Sequence, residues 1–323
     1  MEIKGKNILV TGGAGFIGSH LVDALIEERP DRIVVVDNLF LGDEKNLQDA
    51  RGKFDNLFFF NEDASNFSVI RSRLQENEID VVFNWAVVPL PTSLERPKWT
   101  VDQNILIATT VCELGKLGHF KTLIHCSSSE VYGTARYAPM DEDHSCFPTT
   151  PYAASKLATD HIVLSYYQSF GLDTAIIRPF NNFGPRQNDK SYAGVIPIVM
   201  NKVRDNAPVE IFGDGLQTRD FIYVKDTARA SIEVYKEEKT RGKIINIASG
   251  IETSINDLVG AILKTCNLDG YPVIHTKERL GDVRRHCGGI ELAKELIKFE
   301  TKTDLVQGLE ETVRWFRSRD SNE

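Results

Sequence analysis

An α/β protein built on a doubly wound parallel sheet, with a smaller C-terminal region after it, is the fold that three observations predict. Short apolar runs alternate with helix-like segments at 7–11, 33–37, 57–60, 80–85, 122–127 and 174–179. That rhythm belongs to parallel strands joined by crossover helices. The first run passes directly into a glycine-rich turn, Gly12-Gly13-Ala14-Gly15-Phe16-Ile17-Gly18. The second ends in an acid, Asp37, 19 residues beyond Gly18.

The first strand, its turn and the following amphipathic stretch carry Gly13-x-Gly15-x-x-Gly18, the spacing of a dinucleotide fingerprint between strand and helix. Gly12 or Gly13 permits the tight turn, and Gly15 lets backbone N–H groups approach a pyrophosphate. Gly18 lets the helix pack against the strand, with the anion at the positive helix end. Asp37 closes the second strand, where a carboxylate accepts from a ribose 2′-hydroxyl and repels a 2′-phosphate. The expected cofactor is therefore NAD rather than NADP, on a Rossmann sheet.

Later elements follow the same logic. Two helices are expected at 101–117 and 152–170. The second opens Pro151-Tyr152-Ala153-Ala154-Ser155-Lys156, with proline suited to a first turn. Tyr152 and Lys156, four apart, share one helix face. A tyrosine hydroxyl has an ordinary pKa of about 10, and a nearby ammonium is expected to lower it toward the working range. Beyond Arg178 prolines and glycines become frequent. A boundary is placed there, giving a cofactor domain over 1–178 and a substrate region mainly over 179–323, with some later segments returning to the first domain. A strand is expected over 243–248 and helices over 254–267 and 303–317. Trp85 and Trp99 are read as core or loop anchors.

With 323 residues, 41% hydrophobic and 26% charged, the chain has ordinary globular composition and enough length for a large core. A net charge of −8 and the absence of a basic stripe argue against nucleic-acid binding. Five scattered cysteines without ligand spacing point to reduced thiols, a cytoplasmic location and no metal site. No run is long enough to span a membrane, and Met1 leads straight into the first strand, so no signal peptide is expected.

Together these features resemble the extended short-chain dehydrogenase/reductase family, in its nucleotide-sugar epimerase/dehydratase branch. The resemblance also rests on Ser127-Ser128-Ser129-Glu130-Val131-Tyr132-Gly133, on Arg178-Pro179-Phe180-Asn181-Asn182-Phe183-Gly184-Pro185-Arg186-Gln187, on 213–226, and on Gly281-Asp282-Val283-Arg284-Arg285. It implies an NAD site made by Gly12, Gly15, Phe16, Ile17, Gly18, Asp37, Asn38, Asp63, Ala64, Ala86, Tyr152, Lys156 and Pro179. It also implies that Tyr152, aided by Lys156, takes the proton of a sugar 4-hydroxyl while hydride leaves C4 for NAD, and that Ser128 holds the same oxygen. Asn181, Arg219, Asp282 and Arg284 are the implied substrate contacts, the arginines as forks for a pyrophosphate. Arg186 and Arg285 are weaker candidates that also read as surface charges. Relatives pair through two helices, so a homodimer through 101–117 and 152–170 is expected, with Ile162, Val163, Tyr166, Tyr167 and Phe170 as its apolar surface.

Two departures matter. Ser129-Glu130 stands where many hexose dehydratases carry Asp-Glu. Asn84-Trp85-Ala86-Val87, followed by Pro89-Leu90-Pro91, replaces the His-x-Ala-Ala start usual in relatives. Glu130 has no counterpart in most simple 4-epimerases, whereas a dehydratase needs a base for the C5 proton. The leading expectation is a 4,6-dehydratase acting on an NDP-hexose or NDP-N-acetylhexosamine, with a UDP-sugar 4-epimerase and a UDP-glucuronate decarboxylase as rivals. A non-catalytic NAD-binding scaffold is the alternative from another class.

Overall fold

Seven parallel strands form the central sheet of the computed structural model, which describes residues 1–189, 193–278 and 283–320. Six come from the first part of the chain: β1 (Asn7–Thr11), β2 (Arg32–Val36), β3 (Leu57–Phe60), β4 (Val81–Asn84), β5 (Thr122–Cys126) and β6 (Asp173–Pro179). Beyond them lie β7 (Asn181–Phe183), β8 (Val209–Phe212), β9 (Thr218–Tyr223), β10 (Ile244–Ile247), β11 (Glu252–Ser254) and β12 (Val273–Thr276). The helices are α1 (Phe16–Glu27), α2 (Gln48–Lys53), α3 (Phe67–Glu76), α4 (Leu90–Glu95), α5 (Pro97–Lys116), α6 (Pro151–Phe170), α7 (Val195–Arg204), α8 (Val224–Lys236), α9 (Ile255–Thr265), α10 (Glu291–Ile297) and α11 (Leu305–Asp320).

The sheet order is β10-β6-β5-β4-β1-β2-β3. Side chains alternate across it, as a strand period of two requires. Ile8, Val10, Ile33, Val35, Phe83 and Ile177 face the layer of α1, α8 and α10. Leu9, Val34, Val36, Val82, Leu123 and Ile176 face α3, α5 and α6. Burial on both faces explains the near-continuous apolar strands. Strand order reverses between β1 and β4, and a crevice opens at such a switch point beyond the strand C-termini.

β10 pairs with β6, so the chain after Pro179 also completes the first sheet. A second core joins α7, α9 and α11 to β8 and β9 through Met200, Phe221, Ile262 and Phe316. Buried Asp220 ties this region together. Its carboxylate accepts from Ser249 N at 2.7 Å, Gly250 N at 2.9 Å and Gly288 N at 3.1 Å.

Three expectations are corrected. The second strand ends at Val36, because the carboxylate of Asp37 bonds the backbone of the following turn. Part of the apolar loop after Asn84 is helical: Pro89 precedes α4, Pro91 occupies its first turn, and Ser93 Oγ donates to Leu90 O at 2.6 Å. Val163 is fully buried under the sheet, and the Tyr166 hydroxyl donates to Glu113 on α5 at 2.9 Å. Those two pack α6 against its own chain, while Tyr167 and Phe170 remain exposed.

Arg178 at the end of β6 and Asp160 on α6 form an ion pair at 2.9 Å with side chains only 3% and 1% exposed. The Tyr132 ring lies 4.8 Å from the guanidinium. Removing one partner strands a charge in the interior, which costs about 3–5 kcal/mol. Asp160→Ala is therefore expected to lower unfolding stability by that amount in chemical denaturation, and a loss below about 1 kcal/mol would show that Arg178 finds other compensation.

Candidate active site

Register builds the site. Thr11 pairs with Asn84 across β1 and β4, and Asn84 with His125 across β4 and β5, so three polar side chains stand in one buried row. Thr11 Oγ1 donates to Asn84 Oδ1 at 2.7 Å, and Asn84 Nδ2 lies 3.0 Å from His125 Nδ1. His125 Nε2 continues to Thr159 Oγ1 at 3.3 Å, which donates to Lys156 O at 2.8 Å. Burial, with Lys156 nearby, holds His125 well below its ordinary pKa. It is neutral, with Nδ1 accepting from Asn84 and Nε2–H directed at Thr159. The departure Asn84 thus has a structural partner, His125. The row links the glycine turn to the helix that carries Tyr152.

The turn itself is backbone-limited. Gly12 has φ +69°, and a Cβ there would lie 2.7 Å from Ala86 N. A Cβ on Gly18 would lie 2.1 Å from Gly12 O. Gly12, not Gly13, therefore supplies the left-handed residue, and Gly18 supplies the close approach of helix to turn. α1 starts at Phe16 with no side-chain cap, leaving its first N–H groups directed toward the crevice.

A cleft of about 380 Å³ opens above these ends. All thirteen expected cofactor residues, Gly12, Gly15, Phe16, Ile17, Gly18, Asp37, Asn38, Asp63, Ala64, Ala86, Tyr152, Lys156 and Pro179, line it, together with Ser128. Asp37 and Asp63 stand just beyond β2 and β3. Tyr152 and Lys156 enter from α6, after a cap in which Thr150 Oγ1 accepts from Ala153 N at 3.1 Å. A dinucleotide fits this shape: a glycine cradle that a Cβ would fill, an uncapped helix start, and a carboxylate at the outer end.

The electrostatics of the pair differ from expectation. Lys156, 3% exposed, donates from Nζ to Cys126 O at 2.6 Å, and burial lowers its pKa while Cys126 and Asp160 oppose that. Burial also pushes Tyr152 above its ordinary value, opposed by its hydrogen bond with Ser128. Desolvation of the phenol, rather than the ammonium's field, dominates here.

Of the expected substrate residues, Ser128 lines this cleft, whereas Asn181, Arg219 and Arg284 do not. Glu130 lies in a 3-10 turn, Ser129–Tyr132, with its N–H donating to Ser128 Oγ at 3.2 Å, and it is not among the lining residues. Asn181 donates to Asp220 O at 3.3 Å, while Asn182 lines the cleft instead. Arg219 donates to the carbonyls of Thr218 and Val283. Arg284 forms a two-pronged pair with Asp214 at 2.7 and 2.9 Å, in a separate depression shared with Gln217 and Glu278. Arg285 pairs with Glu252 at 2.6 Å, and Asp282 lies outside the described residues.

Arg186, a weaker candidate in the sequence, lines the cleft and pairs with Asp23 at 2.7 Å. Other cleft residues went unread. Gln187 and Asn188 stand beside Asn182, in the same motif that drew attention to Asn181. Trp85, 7% exposed, and the half-buried Trp99 both line the cleft; Trp99 opens a helix face toward it. Its spacing from Gln103 and Ile107, i, i+4 and i+8 on one helix face, was the available signal.

Residues 8–248 match the model of the NAD dependent epimerase/dehydratase family. The UDP-glucose 4-epimerase of Mycolicibacterium smegmatis is 32% identical over 96% of this chain and 98% of its own length. Among solved structures, the UDP-N-acetylglucosamine 4-epimerase of Methanobrevibacter ruminantium is 35% identical with TM-score 0.90, covering 98% of this chain and 99% of that one. The dTDP-glucose 4,6-dehydratase of Streptomyces venezuelae, solved with NAD bound, is 27% identical with TM-score 0.91 over 98% of each chain. The protein belongs to the NAD-dependent epimerase/dehydratase family of nucleotide-sugar enzymes, and its cofactor is NAD.

Proposed function

We propose that the chain is a 4-epimerase of a UDP-hexose or its N-acetylated form. One observation carries this reading. Among the described residues lining the cleft, the only carboxylates are Asp37 and Asp63, both at the outer end. Ser128 is hydrogen-bonded to Tyr152, and the remaining lining includes the amides Asn182 and Gln187, the cations Lys156 and Arg186, and apolar Val88 and Phe180. Epimerisation needs one proton removed from the 4-hydroxyl and returned, with space for the ketose to turn. Tyr152 exchanges that proton, and Ser128 Oγ, hydrogen-bonded to it, holds the reacting oxygen. Bound NAD supplies the reversible hydride acceptor that no side chain of this cleft offers. Loss of water would need, in addition, a base at C5 and an acid at the 6-hydroxyl.

A second reading, the 4,6-dehydratase, is favoured by Glu130. It stands two residues past Ser128, and its charge is felt at Tyr152, where it raises the phenol's pKa. Product mass separates the two. Incubation with UDP-glucose and UDP-N-acetylglucosamine is expected to give an isomer of unchanged mass, and Glu130→Gln to retain turnover within about tenfold, whereas Tyr152→Phe abolishes it. Loss of water in the product, with Glu130→Gln slowed by about 10²–10⁴-fold, would replace the epimerase with the dehydratase. Release of carbon dioxide from a glucuronate nucleotide would indicate a decarboxylase.

The preference for NAD over NADP is assigned to Asp37. Its carboxylate accepts from Leu39 N at 2.9 Å and Ala14 N at 3.0 Å. Burial pushes its pKa up, while backbone donors from Leu39, Ala14 and Gly15 pull it back. A carboxylate offers about four lone-pair sites, so one remains for a ribose hydroxyl. Asp37→Ala is expected to narrow the ratio of NAD to NADP affinity by about 1–3 kcal/mol in calorimetric titration, and an unchanged ratio would remove Asp37 from the ribose.

We also propose a cytoplasmic homodimer. All five cysteines are free, and α5 and α6 expose Leu106, Tyr167 and Phe170 at 46%, 37% and 55%. Light scattering at micromolar concentration is expected to report two chains per particle, and one after Leu106→Asp with Phe170→Asp. A monomeric parent chain overturns the pairing.

A further inference from the structure

The outer end of the NAD cleft carries two aromatic side chains that the glycine fingerprint does not call for. Phe40 stands on the turn after β2 and Trp99 in the first turn of α5, on opposite walls, and both line the cleft. Their ring centroids are 5.4 Å apart with planes at 58°, the tilted contact that aromatic pairs favour. Neither is packed away, since Phe40 is 39% exposed and Trp99 is half-buried.

Both walls are built to hold the contact. Asp37 Oδ1 accepts from Leu39 N at 2.9 Å and Asn38 Oδ1 from Phe40 N at 3.1 Å. These bonds hold Leu39 at φ +57°, a left-handed conformation rare for a branched side chain, and that reversal carries Phe40 toward α5. On the other wall, Pro97 opens α5 directly after α4, and the guanidinium of Arg96 lies 4.0 Å over the Trp99 ring. The residue that faces the ribose and the residue that crosses the opening are thus parts of one turn.

We propose that Phe40 and Trp99 form an aromatic bridge across the adenosine end of the cleft, and that the bridge sets how fast NAD leaves. The two rings must part for the dinucleotide to enter or escape. A cofactor that is reduced and reoxidised within each turnover has to be retained through it, so slow release is what this chemistry requires. The inference rests on NAD occupying the cleft and is independent of whether the product is an epimer or a dehydrated sugar.

The test is release of bound NADH from the full chain, followed by nicotinamide fluorescence during a chase with excess NAD. Phe40→Ala and Trp99→Ala are each expected to speed release by about tenfold or more, since contact losses appear chiefly in the dissociation rate. The double variant is expected to be no faster than about the quicker single, because either truncation already breaks the bridge. Trp99→Phe, which keeps a ring, is expected to stay within about threefold of the parent. ADP-ribose, which lacks the nicotinamide, is expected to lose affinity by the same factor as NAD. Release within about twofold of the parent in both alanine variants, or single effects that simply multiply in the double, would overturn the bridge. A parent chain that binds neither NAD nor ADP-ribose in calorimetry would overturn the cofactor assignment and the bridge together.

Discussion

The buried row Thr11–Asn84–His125 is the constraint on which the site depends. Three adjacent parallel strands carry polar side chains at the same level at or next to their C-terminal ends, where an apolar sheet would otherwise continue. Each must find a partner or carry the cost of an unsatisfied buried group, about 1–3 kcal/mol. They satisfy one another in sequence, and the chain of bonds leaves the sheet through Thr159 to reach the backbone of Lys156. Thr11 Oγ1 also receives Trp85 N and Ala86 N at 3.2 Å each. The loop whose backbone approaches Gly12 is therefore fixed by the same atom that opens the row. A networked row of this kind transmits position because no member can rotate without abandoning its neighbour.

Two charged pieces brace this arrangement from behind. Asp160, one helical turn beyond Lys156, offers its charge both to Arg178 and to the buried ammonium. Asp160 thereby opposes the lowering of the Lys156 pKa that burial imposes. Asp220 does the corresponding work in the smaller region, accepting four short bonds from Ser249, Gly250 and Gly288. It fixes β9 and thereby the stem of Arg219. Arg219 of that region is held by carbonyls and Arg284 by Asp214.

Function divides along the cleft. On the proposed reading, Asp37, Asp63, Phe40 and Trp99 face the cofactor's adenosine half, and Tyr152 with Ser128 faces the reacting sugar. Among the described lining residues the carboxylates are Asp37 and Asp63, and the proposed epimerase reading rests on that. Glu130 sits close enough to act on Tyr152 through its field, yet outside the lining. Glu130 stands in the 3-10 turn Ser129–Tyr132, within electrostatic reach of the Tyr152 phenol.

Much was determined locally and could be read from the chain alone. The glycine spacing, the acid after the second apolar run and the Tyr152/Lys156 pair are short-range patterns, because each depends on one strand, one turn or one helix face. Gly12, Gly15, Gly18, Asp37, Tyr152 and Lys156 of these patterns line one cleft, together with the others that the family resemblance implied for the cofactor. What only the tertiary structure decided are the relations between distant segments. His125 as partner of Asn84 depends on register between β4 and β5, which a strand's own sequence does not record. Phe40 and Trp99 meet only because a left-handed turn and a proline-led helix converge from residues far apart in the chain. The upward shift of Tyr152 likewise follows from desolvation, a property of the whole assembled pocket and not of the four-residue spacing that identified it.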